Sequence, residues 1–292
     1  MLLQFDDSPR PRRPPPWALW ALGFRPFYLL SALLAASSIP LWALQATGFL
    51  RFAYLRGPVW HAHEMIFGFA LAVIVGFLIT AGQNWSQQPT PKGRELMAVA
   101  GLWLAARVLV LTPWPLAAAA ANVAFPLVAA WGLGRALVAA GNRRNYLFIG
   151  LLVLMALAEA VFHAVQMGAL VLPGSLGLTL GLDIVLIIMV VMGGRVIPMF
   201  TNSGVPGAAA QVRRGSEWAA IGLVVALAVA DAALGLAGVD LPAVSGLLAL
   251  AAALAQALRW ARRRFGRPAS PSSSGATAPG SSGRGWTVRR AD

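Results

Sequence analysis

Cysteine is missing from all 292 residues. Its absence excludes disulfides, thiolate metal ligands and covalently attached c-type haem, and leaves histidine, methionine and carboxylates as possible ligands. Histidine itself is sparse, with three copies. Charge is sparse as well. Asp, Glu, Lys and Arg make up 11% of the chain and hydrophobic residues 58%, whereas a soluble domain is roughly a quarter charged. With a mean hydropathy of +0.70, the chain belongs in a membrane. The N-terminus, MLLQFDDSPRPRRPPPW, has neither the apolar stretch nor the small-residue cleavage site of a secretory signal, so no cleavable leader is expected.

What the chain does have is long apolar runs. A bilayer crossing takes about 20 apolar residues, and segments near 27–46, 61–81, 96–112, 116–137, 146–167, 176–194, 218–236 and 241–260 meet or approach that length. Inside lipid each must be helical, because every backbone polar group needs an internal partner. The expected fold is therefore an all-α polytopic transmembrane bundle of about eight spans. Its arginines fall between the spans and sort by side. Arg10, Arg12, Arg13, Lys92, Arg94, Arg135, Arg143, Arg144, Arg195, Arg213 and Arg214 lie on one side, and Arg259, Arg262, Arg263, Arg264 and Arg267 join them; Arg51 and Arg56 lie on the other. That asymmetry places both termini in the cytoplasm. It also accounts for the net charge of +13 as topology, so nucleic acid is not an expected partner and the bilayer is. Residues 1–16 are expected to form a cytoplasmic segment, 17–262 the membrane domain, and 263–292, rich in Gly, Ser and Pro, a disordered basic tail.

Against this background the stretch WHAHEMIFGF, residues 60–69, is costly: two histidines and a glutamate open an apolar helix. With the second helix running inward, His61, His63 and Glu64 lie at its outer end. Glu159 and His163 fall at the outer end of the fifth helix, and Arg107 lands in the same layer. Ionisable residues within a membrane are functional candidates. His61 and His63 are two residues apart, about 200° around a regular helix, and so face different ways. One metal takes both only if the helix start is distorted, which Pro58 permits. Glu159 and His163, four apart, share a face, and such a carboxylate orients a ring or supports a metal ligand. Simpler readings are also open: Glu64 as a helix N-terminal charge, Arg107 snorkelling outward, each histidine bonded to a loop carbonyl. Asp183, in LGLDIVLII, lies mid-membrane, where it must pair, bind or be neutral. GGRVIPMFTNSG, residues 193–204, reads as the end of the sixth helix, with Arg195 facing inward and Thr201 and Asn202 capping or lining a cavity. Trp60, Trp85, Trp114 and Trp218 read as interfacial anchors, and Met189, Met192 and Met199 as packing residues.

WHAHEMIFGFALAVIVGFLITAGQNWS and GGRVIPMFTNSG resemble the signature segments of the NnrS family, and GFRPFYLL and AEAVFHAV look like that family too. The resemblance runs over about residues 17–236. It implies a multi-pass protein of the bacterial inner membrane that binds haem and copper and is linked to nitric oxide resistance. His61, His63, Glu64, His163 and Arg195 fall on the family's recurring polar positions. Family members continue through further helices with more histidines, so this chain is expected to be a C-terminally shortened member.

The leading expectation is a b-type haem near the outer leaflet, with His163 and one of His61 or His63 as axial ligands. Arg51, Arg56 and Arg107 would then face the propionates, and the remaining histidine would bind copper or orient a ligand. Nitric oxide or a related small molecule is the expected partner. A different class is a proton-coupled transporter using Asp183, Glu159 and the histidines. A third is an assembly subunit without cofactor. No complete catalytic centre can be read: three histidines are too few for the binuclear haem–metal centre of a nitric oxide reductase.

Overall fold

The computed structural model describes residues 18–204, 214–239 and 242–261. The segments expected as a cytoplasmic N-terminus and a disordered tail lie outside the described residues, as does Arg213. Within them the chain is a bundle of eight helices: α1 Phe24–Ala46, α2 Gly57–Ser86, α3 Arg94–Leu109, α4 Pro115–Ala139, α5 Tyr146–Gln166, α6 Leu176–Gly204, α7 Arg214–Leu236 and α8 Pro242–Ala261. Six are long and apolar enough to cross a membrane. The exceptions are α3, with 16 residues, and α8, whose apolar stretch is Ala243–Arg259. At 1.5 Å per residue, α3 spans roughly 24 Å, short of a hydrocarbon core of about 30 Å.

Each helix packs on the next, and α2 is the axle, touching α1, α3, α4 and α6. Its side chains explain why: Phe67, Leu71, Ala72, Val75, Leu78 and Ile79 are all sequestered in the main core. Burial of that stripe is the chief local gain in water-like surroundings; in lipid the same contacts count mainly as close packing, which favours small residues at crossings. Accordingly α6 approaches through glycines. A Cβ on Gly177 would stand 2.5 Å from the Cβ of Phe162, and one on Gly181 would stand 2.7 Å from the ring of Phe67. The outer surface is a belt of exposed Leu33, Leu104, Leu116, Trp131, Leu157 and Met189, as expected for lipid contact.

Three expectations are corrected here. The sixth span, expected to stop near residue 194, runs on through GGRVIP to Gly204, with Pro198 inside it. The glycine instead makes room for α8. Arg259 Nη1 donates to Val190 O at 3.1 Å and its guanidinium faces Glu217, and a Cβ on Gly194 would lie 2.9 Å from Arg259 Cζ. Trp60 is no interfacial anchor but is buried in the first turns of α2, whereas Trp114 and Trp218 are exposed. Met189 and Met199 are exposed rather than packed; only Met192 is in the core.

The α6 crossing gives a stability test. Gly177→Leu is expected to cost about 1–3 kcal/mol through overpacking and to lower the thermal midpoint in detergent. Gly150→Leu, at a position with open space around it, should leave the midpoint unchanged.

A buried histidine pair held by an ionic cluster

The N-terminal end of α2 is built for polar residues. Gly57 adopts φ +61° and donates its N–H to Gln45 Oε1 at 2.8 Å, turning the chain into the helix behind Pro58. After His63 the helix widens: Glu64–Ala70 is a π-helical segment. Such segments are uncommon and often accompany function. The distortion that the two-residue histidine spacing seemed to require thus occurs, but after His63 rather than at Pro58, so it does not bring His61 and His63 together. His61 stacks on Trp42, ring centres 4.8 Å apart. His63 turns to the interior, against Phe67, Phe162 and His163.

His63 and His163 meet, with ring centres 5.3 Å apart and planes at 67°; both are buried. Each has its Nδ1 side engaged. His63 Nδ1 is 3.0 Å from Glu64 Oε1, which also accepts from Arg107 Nη1 at 2.9 Å. A carboxylate paired with a guanidinium only accepts, so His63 Nδ1–H is the donor and the lone pair of a neutral ring sits on Nε2. His163 Nδ1 lies 3.2 Å from Tyr54 Oη. Tyr54 is placed by the loop before α2, whose backbone pairs with the turn after α3 (Tyr54 N–H to Thr112 O, 2.9 Å; Leu55 N–H to Val110 O, 3.1 Å). Burial pushes the Tyr54 phenol up to about 12, so it remains protonated across the physiological range. What is left over is informative: His63 Nε2, His163 Nε2 and both carboxylate oxygens of Glu159 are buried with no hydrogen-bond partner. Orphaned buried polar atoms call for an explanation, a bound ion among them.

Arg107 does not snorkel. It is buried, and besides Glu64 it donates from Nη2 to Asn122 Oδ1, while Asn122 Nδ2 donates to Ala118 O at 2.8 Å. Glu64 is therefore no N-terminal dipole charge but half of a buried ion pair joining α2 to α3, with α4 attached through Asn122. Gly68 leaves the space: a Cβ there would stand 2.6 Å from Arg107 Nη1. Its carbonyl accepts from Trp103 Nε1 at 3.0 Å.

The other candidates lie elsewhere. Arg51 and Arg56 are exposed on the α1–α2 loop, where Arg56 Nη1 donates to Arg51 O at 2.9 Å and Arg51 lies over Phe52. Arg195 sits at the opposite end of the bundle, donating to Asn145 Oδ1 at 2.6 Å and lying over Phe148. Asn202 is on the last turn of α6, exposed. Asp183 is buried on α6, away from the histidines, with Oδ2 unpartnered. Among the described residues no three His, Asp or Glu side chains gather closely enough to hold a metal by themselves. Asn122 and Tyr54 escaped the sequence reading. For Asn122 the available signal was a lone amide in an alanine-rich span at the depth of Arg107.

A haem bridging the two histidines does not fit this arrangement. Two imidazoles trans on one iron have ring centres about 6 Å apart, from metal–nitrogen bonds of about 2.0 Å plus about 1.1 Å to each ring centre. The observed rings are closer than that, and Phe67 and Phe162 fill the flanks of His63. The charge of Arg107 is already matched by Glu64, so it does not call for a propionate. Two imidazoles on one small tetrahedral ion have centres about 5 Å apart, which the pair matches.

Removing one member of the buried ion pair should be costly. Arg107→Met is expected to lose about 3–5 kcal/mol in denaturant titrations of the micellar protein, and Glu64→Met/Arg107→Met to regain most of it. A double variant as unstable as the single one would contradict the pairing.

The family profile described as NnrS protein matches residues 18–272. The match continues past the seventh helix and through α8, further than the sequence motifs alone suggested. No curated protein and no solved structure matches the chain.

Proposed function

Because the chain belongs to the NnrS family, we propose that it is a multi-pass protein of the bacterial inner membrane that binds one copper ion in the outer leaflet and acts in the response to nitric oxide. The observation that supports it is the pair of orphaned Nε2 atoms on His63 and His163, each ring held from its Nδ1 side by a buried or half-buried partner. Supports of that kind orient a metal ligand and raise its basicity. Imidazoles suit copper among the available metals. Glu64 and Arg107 cancel, so the ring of His63 is held without leaving a net charge in the low-dielectric interior.

Copper held there would supply a redox-active centre for a small neutral ligand such as nitric oxide. The chain's own contribution is to hold the rings, exclude water through Trp60, Phe67 and Phe162, and keep the His63 tautomer through Glu64. Haem binding would require residues other than this pair. Both termini are assigned to the cytoplasm by the distribution of Lys and Arg.

Competition with a copper(I) chelator and metal analysis of the purified protein test the reading. One equivalent of copper is expected, with His63→Ala and His163→Ala each abolishing it and Glu64→Gln weakening it about 10- to 100-fold. A stoichiometric Soret band lost in His63→Ala, with no copper in the wild type, would overturn it.

A second reading is favoured by one observation. Asp183 is buried with an unpartnered oxygen, and Asp231 on the neighbouring α7 is bonded to Ser245 of α8. Two carboxylates across these helices suit a proton-linked transporter. Proton uptake by proteoliposomes that is lost in Asp183→Asn, with copper content unchanged, would select it.

A further inference from the structure

A groove of about 380 Å³ runs between α1 and α3 on the outward face of the bundle. Its walls include Leu34, Leu41, Trp103 and Leu104, and it ends at Trp60, Glu64 and Arg107. The rim is lipid-facing: Leu33, Leu104 and Val108 are 67%, 51% and 55% exposed. An occupant would therefore enter from the acyl chains and not from water.

At the inner end of the groove two donors are unmet, beside a Glu64 carboxylate already committed to Arg107 and His63. Trp60 Nε1 and Arg107 Nε are both buried without a hydrogen-bond partner, on residues 1% and 7% exposed. Leaving a buried donor unmade costs roughly 1–3 kcal/mol each. Charge, in contrast, is already balanced, since Glu64 takes Arg107 and His63. The complementary molecule is apolar along its length and carries neutral acceptor oxygens at one end.

We propose that this groove binds a membrane quinone, with a ring carbonyl facing the Trp60 and Arg107 N–H donors and the isoprenoid tail lying along α1 and α3. A fatty acid is a poorer match: its carboxylate would be buried beside Glu64 with no free cation to meet it. A phospholipid headgroup is charged and would have to leave the interface to reach this depth. The flat neutral head of a quinone also suits the two indoles, Trp60 and Trp103, that line the groove. The inference stands apart from the copper reading, although Glu64 borders both the groove and His63.

Photolabelling tests it: the full chain in phosphatidylcholine nanodiscs is exposed to an azidoquinone and the labelled peptides are mapped by mass spectrometry. Label is expected on residues 30–41 and 103–112, displaced by excess decylubiquinone but not by palmitate. Trp60→Phe keeps an aromatic ring and removes the donor, so the half-saturating concentration should rise about tenfold, the equivalent of one neutral hydrogen bond. Leu104→Trp fills the rim from the lipid side and should abolish labelling at an unchanged thermal midpoint. Label spread evenly over lipid-facing positions such as Leu154 and Leu157, displacement by palmitate as effective as by decylubiquinone, or wild-type labelling in both variants would each overturn the proposal.

Discussion

Two opposite charges facing each other in a medium that solvates neither organise this protein. Glu64 and Arg107, 2.9 Å apart and buried, sit where an isolated carboxylate or guanidinium would be prohibitively expensive. The pair need not add stability relative to an apolar alternative; buried ion pairs often roughly break even. It does constrain geometry. Once Glu64 is committed to Arg107, α2 and α3 must cross at that depth, Asn122 must bring α4 alongside, and His63 must present its Nδ1–H to the carboxylate. One electrostatic requirement thus sets three helix positions and one tautomer.

The π segment and Gly68 are the local means of meeting that requirement. A regular helix would carry seven residues through 700° and leave Glu64 and Phe67 in a different relation to their neighbours; the wider turn of Glu64–Ala70 shifts the rest of α2 relative to its first turns. Gly68 then admits the guanidinium that a Cβ would block. Similar economy recurs at Gly177, Gly181 and Gly194, where α6 meets Phe162, Phe67 and Arg259. In lipid, where apolar surface gains little from contact with other apolar surface, such close approaches carry much of the helix–helix attraction.

The polar residues divide by what surrounds them. His63 and His163 meet in the interior, each with a buried, unsatisfied Nε2. Arg51, Arg56 and Arg195 have ordinary partners at or near the two surfaces, where arginines mark topology. His61 is a ring stacked on Trp42, two residues from its partner in sequence and on another face of the helix. Proximity along the chain is a poor guide to a shared site when the helical period separates the side chains.

Much of this was legible before any coordinates. Composition required a membrane bundle, because a chain so poor in charge cannot face water over its whole surface and a chain so apolar must satisfy its backbone internally. The spans, their number and the common depth of His61, His63, Glu64, Arg107, Glu159 and His163 followed from run lengths, which depend only on rise per residue and bilayer thickness. Rotation about each helix axis did not follow. It was decided by packing: whether Arg107 points to lipid or to Glu64, whether Trp60 anchors or is buried, whether His163 meets His61 or His63, and whether Gly193–Gly194 ends a helix or admits Arg259. Hydropathy is a one-dimensional quantity and sets depth; azimuth is set by which neighbours a side chain can reach, and that exists only once the helices are assembled.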